Sequence, residues 1–307
     1  MSTLGVALAE YLDLRRSLGY RLEQPGRVLP RFVTELDDQG IGVVSVAFAL
    51  EWSTRTPVGA SQRLEAVRGF ARYLQALDPR HEIPPTRLIP HPNKRVVVHI
   101  YSNDEIAALM TAAATIRPTL RADTIKTMVG LLAVTGMRIG EVLALETSDI
   151  DWDRGTITVK DAKFDKKRHV PVSTCTLAAL NRYRDARNNH AREATTPVLF
   201  VQHLGRPITY GYWKRSFDVL LQVTGLAANG NRRPRVHDLR HSFAVSTLIR
   251  WYDNGADIGP LLPVLSTYLG HINPASTYWY LTGTPELLAV VAARLEHHED
   301  TCLGGAR

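Results

Sequence analysis

The sequence predicts a mainly α-helical protein with a small β-sheet or hairpin in its second half, an α+β arrangement. Apolar residues recur every three or four positions through most of the 307 residues, which is the period of amphipathic helices. Residues 156–159 and 169–172 break this period with two short β-type runs joined by a polar segment, and this pattern indicates a hairpin. Five prolines between positions 79 and 92 separate an N-terminal helical region from the rest, because proline lacks an amide donor.

The N-terminal region is predicted to consist of helices. Helical spacing runs over residues 4–20, 28–40 and 46–54, and another helix starts near Ser61, a favourable N-cap. Three arginines in this last helix fall largely off its apolar stripe, so we expect an apolar back and a basic front. A solvated charged face accounts for the same pattern equally well.

The second region is predicted to begin with a capped helix. Ser102 and Glu105 match the capping box, in which each side chain accepts a hydrogen bond from the other residue's amide. A second helix is expected over residues 123–134, and a third from Met137, which places Arg138 just inside it. After the hairpin, helices again dominate to the end of the chain.

Composition points to a polyanionic partner and a reducing compartment. The net charge is +7 and the isoelectric point is near 9.5, and a basic surface attracts phosphates, although many basic proteins bind nothing specific. Cys175 and Cys302 are the two cysteines, too few for a disulfide framework or a thiolate metal site. No signal peptide or membrane span is expected, so we expect a soluble cytoplasmic protein.

Side chains suited to phosphate chemistry concentrate in residues 236–280. His237 and Arg240 stand three positions apart at a helix start and therefore project to one side. His271 follows a glycine, which allows a helix end or a close backbone approach. Tyr280 is a weak nucleophile that needs a neutralised phosphate and a base. Taken singly, each residue also fits a structural role, as a satisfied histidine or a core aromatic.

Two upstream residues extend this set. The guanidinium of Arg138 suits bidentate contact with phosphate oxygens, although a helix pair with Glu141 explains that arginine alone more simply. Lys163 lies in the predicted hairpin turn, where a flexible ammonium can donate a proton to a leaving oxygen. Lys160 and Lys166 compete with Lys163 for this role.

In this order and with these separations, the motifs resemble the tyrosine recombinase (phage integrase) family. The matching segments are TGMRIGEVLAL from Thr135, Lys163 ahead of KRHVP from Lys167, HDLRHSFA from His237, LGH from Leu269, and Tyr280. The resemblance covers residues 104–290. Residues 1–90 resemble the helical core-binding domain of the family, chiefly through RLEAVRGFARYL from Arg63.

The resemblance implies a C-shaped DNA clamp built from four parts. These are a helical core-binding domain at 1–90, a basic extended linker at 91–103, a catalytic domain at 104–290 and a C-terminal tail at 291–307. In relatives a C-terminal segment packs on a neighbouring protomer, and we expect the same here. A helix folded back on its own domain is the alternative.

The resemblance also implies an enzyme that cuts and rejoins double-stranded DNA at specific recombination sites, without a metal or any other cofactor. Tyr280 would attack the phosphodiester and form a 3′-phosphotyrosyl bond, while Arg138 and Arg240 hold the non-bridging oxygens. Lys163 would protonate the leaving 5′-oxygen. The remaining site residues are His237, which would assist proton transfer at the nucleophile, His271, which would hydrogen-bond the phosphate, and Glu141, which would support the site.

The expected partners are DNA and further copies of the chain. A DNA-bound tetramer associated with the nucleoid is the expected working form, with other recombinases or DNA-bending proteins as further partners. The expected phosphate contacts are Arg63, Arg68, Arg72, Lys94 and Arg95. A type IB topoisomerase and a non-catalytic DNA-binding factor are the alternatives. The sequence leaves four biological tasks open: integration, excision, transposition and dimer resolution.

Overall fold

The protein divides into two compact units, Met1–Arg95 and Val96–Arg307. The computed structural model describes residues 2–89, 98–161, 166–190, 196–228 and 233–270. The boundary between the units falls inside the segment 91–103, for which the sequence predicts a linker. The predicted tail at 291–307 lies outside the described residues. The predicted fold class, mainly α with a small sheet, is confirmed.

The first unit is a set of four helices around its own core. Leu29, Phe32 and Leu36 of the second helix and Val67 and Phe70 of the fourth are fully buried, and they recur at the three- and four-residue spacing of one helix face. The helices are α1 (Thr3–Ser17), α2 (Glu23–Asp38), α3 (Val46–Thr54) and α4 (Ala60–Leu77).

One cap in the first unit differs from the prediction. Helix α4 begins at Ala60, and its N-cap is Gly59 with φ of 78°, so Ser61 does not cap the helix. Gly59 makes no side-chain cap hydrogen bond, and its positive φ is a conformation that glycine adopts without steric cost. The chain therefore enters α4 through a glycine turn.

The second unit carries seven described helices and a three-stranded sheet. The helices are α5 (Asn103–Ala114), α6 (Thr119–Thr135), α7 (Ile139–Leu143), α8 (Thr174–His190), α9 (Tyr210–Val223), α10 (Val236–Asp253) and α11 (Ile258–Leu269). The strands are β1 (Ile150–Asp151), β2 (Thr156–Asp161) and β3 (Lys166–Pro171). A 3₁₀ turn, Thr147–Asp149, precedes β1.

The sheet is antiparallel in the order β1-β2-β3. Its central register pairs Ile157 with Val170 and Val159 with Arg168. Ile157, Val159 and Val170 are buried, so Arg168 lies on the face of the sheet that packs against the core, since alternate residues share a face. The hairpin prediction is confirmed, whereas the sequence did not reveal β1.

Helix ends position the residues of interest in this unit. The predicted capping box of Ser102 and Glu105 is present at the start of α5. Helix α6 ends at Gly136 and α11 at Gly270, both in the left-handed conformation that often terminates helices. Arg138 is the N-cap of α7, with extended backbone. The helix therefore starts two residues later than predicted, and Arg138 lies just before it rather than just inside it.

Candidate active site

Arg240 lies at the centre of the candidate site. It is only 2% exposed, and a buried guanidinium needs hydrogen-bond acceptors to offset its lost hydration. Its Nη1 donates to the carbonyl of Gly136 at 2.8 Å and its Nη2 to the carbonyl of Leu269 at 2.6 Å. One side chain of α10 therefore connects the C-terminal ends of α6 and α11.

Arg138 contacts the same end of α11. Its Nη2 donates to the Gly270 carbonyl at 2.7 Å, and its Nη1 donates to Glu141 Oε1 at 2.9 Å. The amide of Arg138 donates to Glu141 Oε2 at 2.7 Å, which closes the first turn of α7. The side chain remains 37% exposed. Arg138 is thus anchored on two sides and still accessible to a ligand.

Glu141 is held by a second arginine that sequence reasoning missed. Arg168 on β3 donates from Nη1 to Glu141 Oε1 at 2.9 Å and from Nη2 to Oε2 at 2.8 Å. Burial alone raises the pKa of Glu141. The hydrogen bonds and charge of Arg168, followed by those of Arg138, lower the pKa by more than burial raises it, so the net shift is downward. Glu141 is therefore ionised and joins α7 to the hairpin.

Three successive carbonyls at the end of α11 each accept from a different arginine. Tyr268 accepts from Arg168 Nε at 2.9 Å, Leu269 accepts from Arg240, and Gly270 accepts from Arg138. The C-terminal end of a helix carries partial negative charge, which favours cations there by about 0.3 to 1 kcal/mol each. The end of α11 thus gathers three guanidinium groups that would otherwise repel one another.

Charge at this cluster favours an anionic ligand. Arg138, Arg168 and Arg240 carry three positive charges and Glu141 one negative charge, which leaves an excess of two among these four contacting groups. Arg138 is the most exposed of the three. A concentrated positive potential beside accessible donors is suited to a phosphate group.

His237 lies one helical turn before Arg240 on α10, at the start of the helix. Its pKa is lowered, first by desolvation and second by the charge of Arg240. His241 packs edge-on against it, with ring centroids 4.7 Å apart. Desolvation and the charge of His237 lower the pKa of His241 to about 4. Both rings are therefore neutral at pH 7, and neutral imidazole can accept a proton.

Of the three candidate lysines, Lys160 has described ion pairs. Lys160 Nζ lies 2.6 Å from Asp149 Oδ1 and 3.4 Å from Glu146 Oε2. The hydrogen bond with Asp149 raises the pKa of Lys160, which makes it a weaker acid. Lys166 belongs to β3, but its side chain is not among those described. Lys163, between β2 and β3 in the sequence, lies outside the described residues.

Several predicted residues have no described structure. Besides Lys163, these are His271 and Tyr280 of the catalytic set and Lys94 and Arg95 of the predicted DNA contacts. Of the catalytic set, the structure brings Arg138, Glu141 and Arg240 together at the end of α11, with His237 beside Arg240. His271 directly follows Gly270, the last residue of that helix end.

Two of the three arginines predicted on the basic front of α4 hold the fold of the first unit. Arg68 is buried and donates to the carbonyls of Pro84 and Pro85 and to Glu65. Arg63 donates to carbonyls at the end of α3 and in the following turn. For Arg68 the predicted exposed position is wrong, and these bonds leave it poorly placed to reach a phosphate. Arg72 is exposed, and its DNA contact stays a prediction.

Two further features, a metal site and a membrane span, concern the described ranges alone. Within them, no cluster of three or more histidine, cysteine or acidic side chains is arranged to hold a metal ion. Nor does the described part of the chain contain a helix with the length and apolar character to cross a lipid bilayer.

Comparison with known proteins points to one family. The model of the phage integrase family matches residues 100–286. A putative integrase/recombinase, y4rB of Sinorhizobium fredii (strain NBRC 101917 / NGR234), is 41% identical over 96% of this chain and 98% of its own. Tyrosine recombinase XerD of Staphylococcus haemolyticus (strain JCSC1435) is 34% identical over 50% of this chain and 48% of its own. The structure of a lambda integrase tetramer bound to a Holliday junction is similar in fold, with a TM-score of 0.62 at 17% identity, over 91% of this chain and 77% of that chain.

The chain belongs to the phage integrase family, the family of the tyrosine recombinases. It is accordingly an enzyme of DNA strand breakage and rejoining that acts in site-specific recombination. The family match spans the arginine cluster at the end of α11 and continues through residues 271–286, which include His271 and Tyr280.

Proposed function

We propose that this recombinase cleaves DNA through a 3′-phosphotyrosyl bond to Tyr280 and serves the integration, excision or transposition of a mobile element. In the cleavage step the Tyr280 oxygen attacks phosphorus, and the bond from phosphorus to the 5′-oxygen breaks. The phenolic proton passes to His237, and Lys163 gives a proton to the leaving 5′-oxygen. Arg138, Arg240 and His271 bind the non-bridging oxygens as charge builds on them.

The reverse reaction rejoins the strands. A 5′-hydroxyl from the same or a partner DNA strand attacks the phosphotyrosyl phosphorus, and the phenol leaves with the proton held by His237. The phosphoester bond energy is kept in the covalent intermediate, so joining needs no nucleotide. The two half-reactions use the same groups with their proton roles exchanged.

The observation that carries this proposal is the convergence of Arg138 and Arg240 on one helix end. Their guanidinium groups donate to the adjacent carbonyls of Gly270 and Leu269, so both are held by fixed backbone before any ligand arrives. Pre-positioned donors stabilise a developing charge without reorganisation, and removing one such donor typically costs about 100- to 1000-fold in rate. The lowered pKa of His237 keeps its ring unprotonated at pH 7, so that a ring nitrogen can accept the phenolic proton.

The ion pairs of Lys160 support Lys163 as the proton donor. Lys160 is engaged by Asp149 and Glu146, and its raised pKa opposes proton release. Lys163 falls between β2 and β3 in the sequence, the two strands of a hairpin that Arg168 holds on the end of α11. Lys166 is the remaining alternative.

The proposed working form is a tetramer on DNA with two bound sites. The lambda integrase structure is a tetramer bound to a Holliday junction, and the sequence after Tyr280 carries a capped apolar segment from Thr284 onward that would pack on a neighbouring protomer. A chain truncated to residues 1–283 should bind a single site but lose cooperative assembly in sedimentation on DNA. If the truncated chain still assembles cooperatively on DNA, the segment does not join neighbouring protomers.

A covalent-adduct assay tests the proposed cleavage. The wild-type chain is incubated with a library of random-sequence duplexes that carry nicks, which let the cut fragment diffuse away and trap the intermediate. Denaturing electrophoresis and sequencing then recover DNA fixed to protein. We expect adducts that share a sequence at the junction and are lost in Tyr280→Phe.

Tyr278→Phe is the matched control, because it removes a neighbouring phenol and should leave the adduct intact. Loss of the adduct with Tyr278→Phe but not with Tyr280→Phe would reject Tyr280 as the nucleophile. Absence of any wild-type adduct would favour a non-catalytic DNA-binding factor. Relaxation of supercoiled DNA without exchange between two sites would favour a type IB topoisomerase.

A further inference from the structure

Arg168 connects three separate elements of the second unit. Its side chain is 14% exposed and lies on the core face of the sheet, opposite Val159. Its three nitrogens reach the carboxylate of Glu141 and the carbonyl of Tyr268, at distances of 2.8 to 2.9 Å. One residue therefore joins β3, α7 and the end of α11.

Each of these three elements leads to a residue of the proposed site. Glu141, which Arg168 holds, also holds the amide and Nη1 of Arg138. Tyr268 belongs to the helix end whose next two carbonyls hold Arg240 and Arg138. Strand β3 pairs with β2, and Lys163 falls between these two strands in the sequence.

We propose that Arg168 is a positioning residue for strand cleavage, which fixes Arg138 through Glu141 and fixes strand β3 of the hairpin on the end of α11. This inference rests on the proposed function above. The planar fork of arginine matches a carboxylate bidentately, and its Nε remains available for a third acceptor. Lysine carries the same charge on a single nitrogen and cannot make this three-way contact.

The space around Arg168 supports a fixed position. A Cβ added at Gly270 would lie 3.0 Å from Arg168 Nη1 and 3.5 Å from Arg138 Nη1. The two guanidinium groups therefore pack directly against the glycine that ends α11. Because Gly270 has φ of 69°, both the backbone shape and the close approach of the arginines require a residue without a side chain.

The first experiment compares Arg168→Lys with wild type and with Arg154→Lys. Arg154 lies on the turn between β1 and β2 and is 86% exposed, so its variant changes an arginine of the same sheet without touching the cluster. Single-turnover adduct formation and DNA affinity are measured separately on the duplex recovered from wild-type adducts. We expect Arg168→Lys to slow adduct formation by roughly 10- to 100-fold, since a misplacement of about 1 Å in a site can cost about 100-fold, with affinity changed by less than about threefold. Arg154→Lys should match wild type in both.

A double-mutant cycle with Glu141→Gln identifies the route. If Arg168 acts through Glu141, the double variant Arg168→Lys/Glu141→Gln should be no slower than the slower single variant, because both changes break the same contact. Rate losses that multiply would overturn this route. A rate within about threefold of wild type for Arg168→Lys, or a parallel fall in affinity and rate as expected of a phosphate contact, would also overturn the proposal.

A DNA-free measurement separates this inference from the proposed function. In Arg168→Lys, hydrogen exchange should become faster at the amides of residues 139–143 and of strands β2 and β3, while the melting temperature of the first unit stays unchanged. In Arg154→Lys, the exchange rates should equal those of wild type. This result is expected whether or not the wild-type chain forms an adduct. Unchanged exchange in Arg168→Lys would show that Arg168 does not hold these elements, even if adduct formation is normal.

Discussion

Replacement of Arg240 by lysine should destabilise the second unit as well as block its chemistry. Arg240 is 2% exposed and donates to two carbonyls, of Gly136 and Leu269, that belong to different helix ends. A lysine keeps the charge but presents one ammonium, which cannot serve both carbonyls in place of the fork. The variant therefore loses at least one hydrogen bond to a charged donor, worth about 1.5 to 3 kcal/mol.

We expect the free energy of unfolding of the second unit to fall by about 2 to 3 kcal/mol on this basis. The assay is hydrogen exchange at increasing urea, followed at the amides of α6, α10 and α11 so that the first unit does not contribute. Adduct formation should fall by roughly 100- to 1000-fold, as for other donors to a developing oxyanion.

Arg250→Lys provides the control on the same helix. Arg250 is exposed, and its Nη2 donates to Thr247 Oγ1 at 3.4 Å, so its replacement should cost less than about 0.5 kcal/mol. The reasoning would be refuted if Arg240→Lys also cost less than about 0.5 kcal/mol, or if both variants lost the same stability. Either result would mean that the two helix ends are not held together through Arg240.

Three further predictions follow from local geometry. Gly136→Ala should lower the melting temperature, because its φ is 61° and an added Cβ would lie 2.6 Å from an aromatic carbon, whereas Gly140→Ala, with open space around it, should be neutral or stabilising. The pKa of His241 is lowered to about 4, so unfolded chains bind more protons as pH falls below the ordinary value near 6.5, and stability should decrease from about pH 6.5 to 4. His241→Asn should flatten this decline in urea titrations, and an identical decline would contradict the assignment. Lys163→Met should slow adduct formation by about 100- to 10,000-fold, whereas Lys160→Met should mainly lower stability. If single-turnover assays show the larger rate loss in Lys160→Met, Lys160 and not Lys163 is the proton donor.

Much of the helical framework was accessible from sequence because its signals are local. The spacing of apolar residues, the capping box of Ser102 and Glu105, and the glycine that ends α6 at position 136 lie within a few residues of the structure they specify. The same holds for the start of α10, where His237 and Arg240 share one side. Local sequence therefore predicted the elements that carry the described site residues.

The role of Arg168 was not accessible, because its partners are distant in the chain. Glu141 lies 27 positions away and Tyr268 lies 100 positions away, and no local pattern records such contacts. In sequence Arg168 is one basic residue among several in a polar segment. The one indication is that Arg168 pairs with the buried Val159, which places it on the core face of the sheet. Recognising this requires the strand register, which the sequence does not supply.

Arg68 shows the opposite error. Its place off the apolar stripe of α4 suggested an exposed phosphate contact, but the carbonyls that receive its hydrogen bonds belong to Pro84 and Pro85. Those residues lie outside any helix or strand, 16 and 17 positions later, so helix periodicity alone cannot show that this segment covers the arginine. A buried arginine with backbone acceptors resembles a surface arginine in sequence.

Chemical identification of the protein side of the DNA adduct tests the central claim most directly. The trapped adduct is digested with protease and nuclease, and the residual nucleotide-peptide is sequenced by tandem mass spectrometry. We expect one peptide from residues 271–286 with a 3′-phosphate ester on the oxygen of Tyr280. Attachment to Tyr278 or to any other side chain, or a 5′-phosphate linkage, would contradict the proposed mechanism.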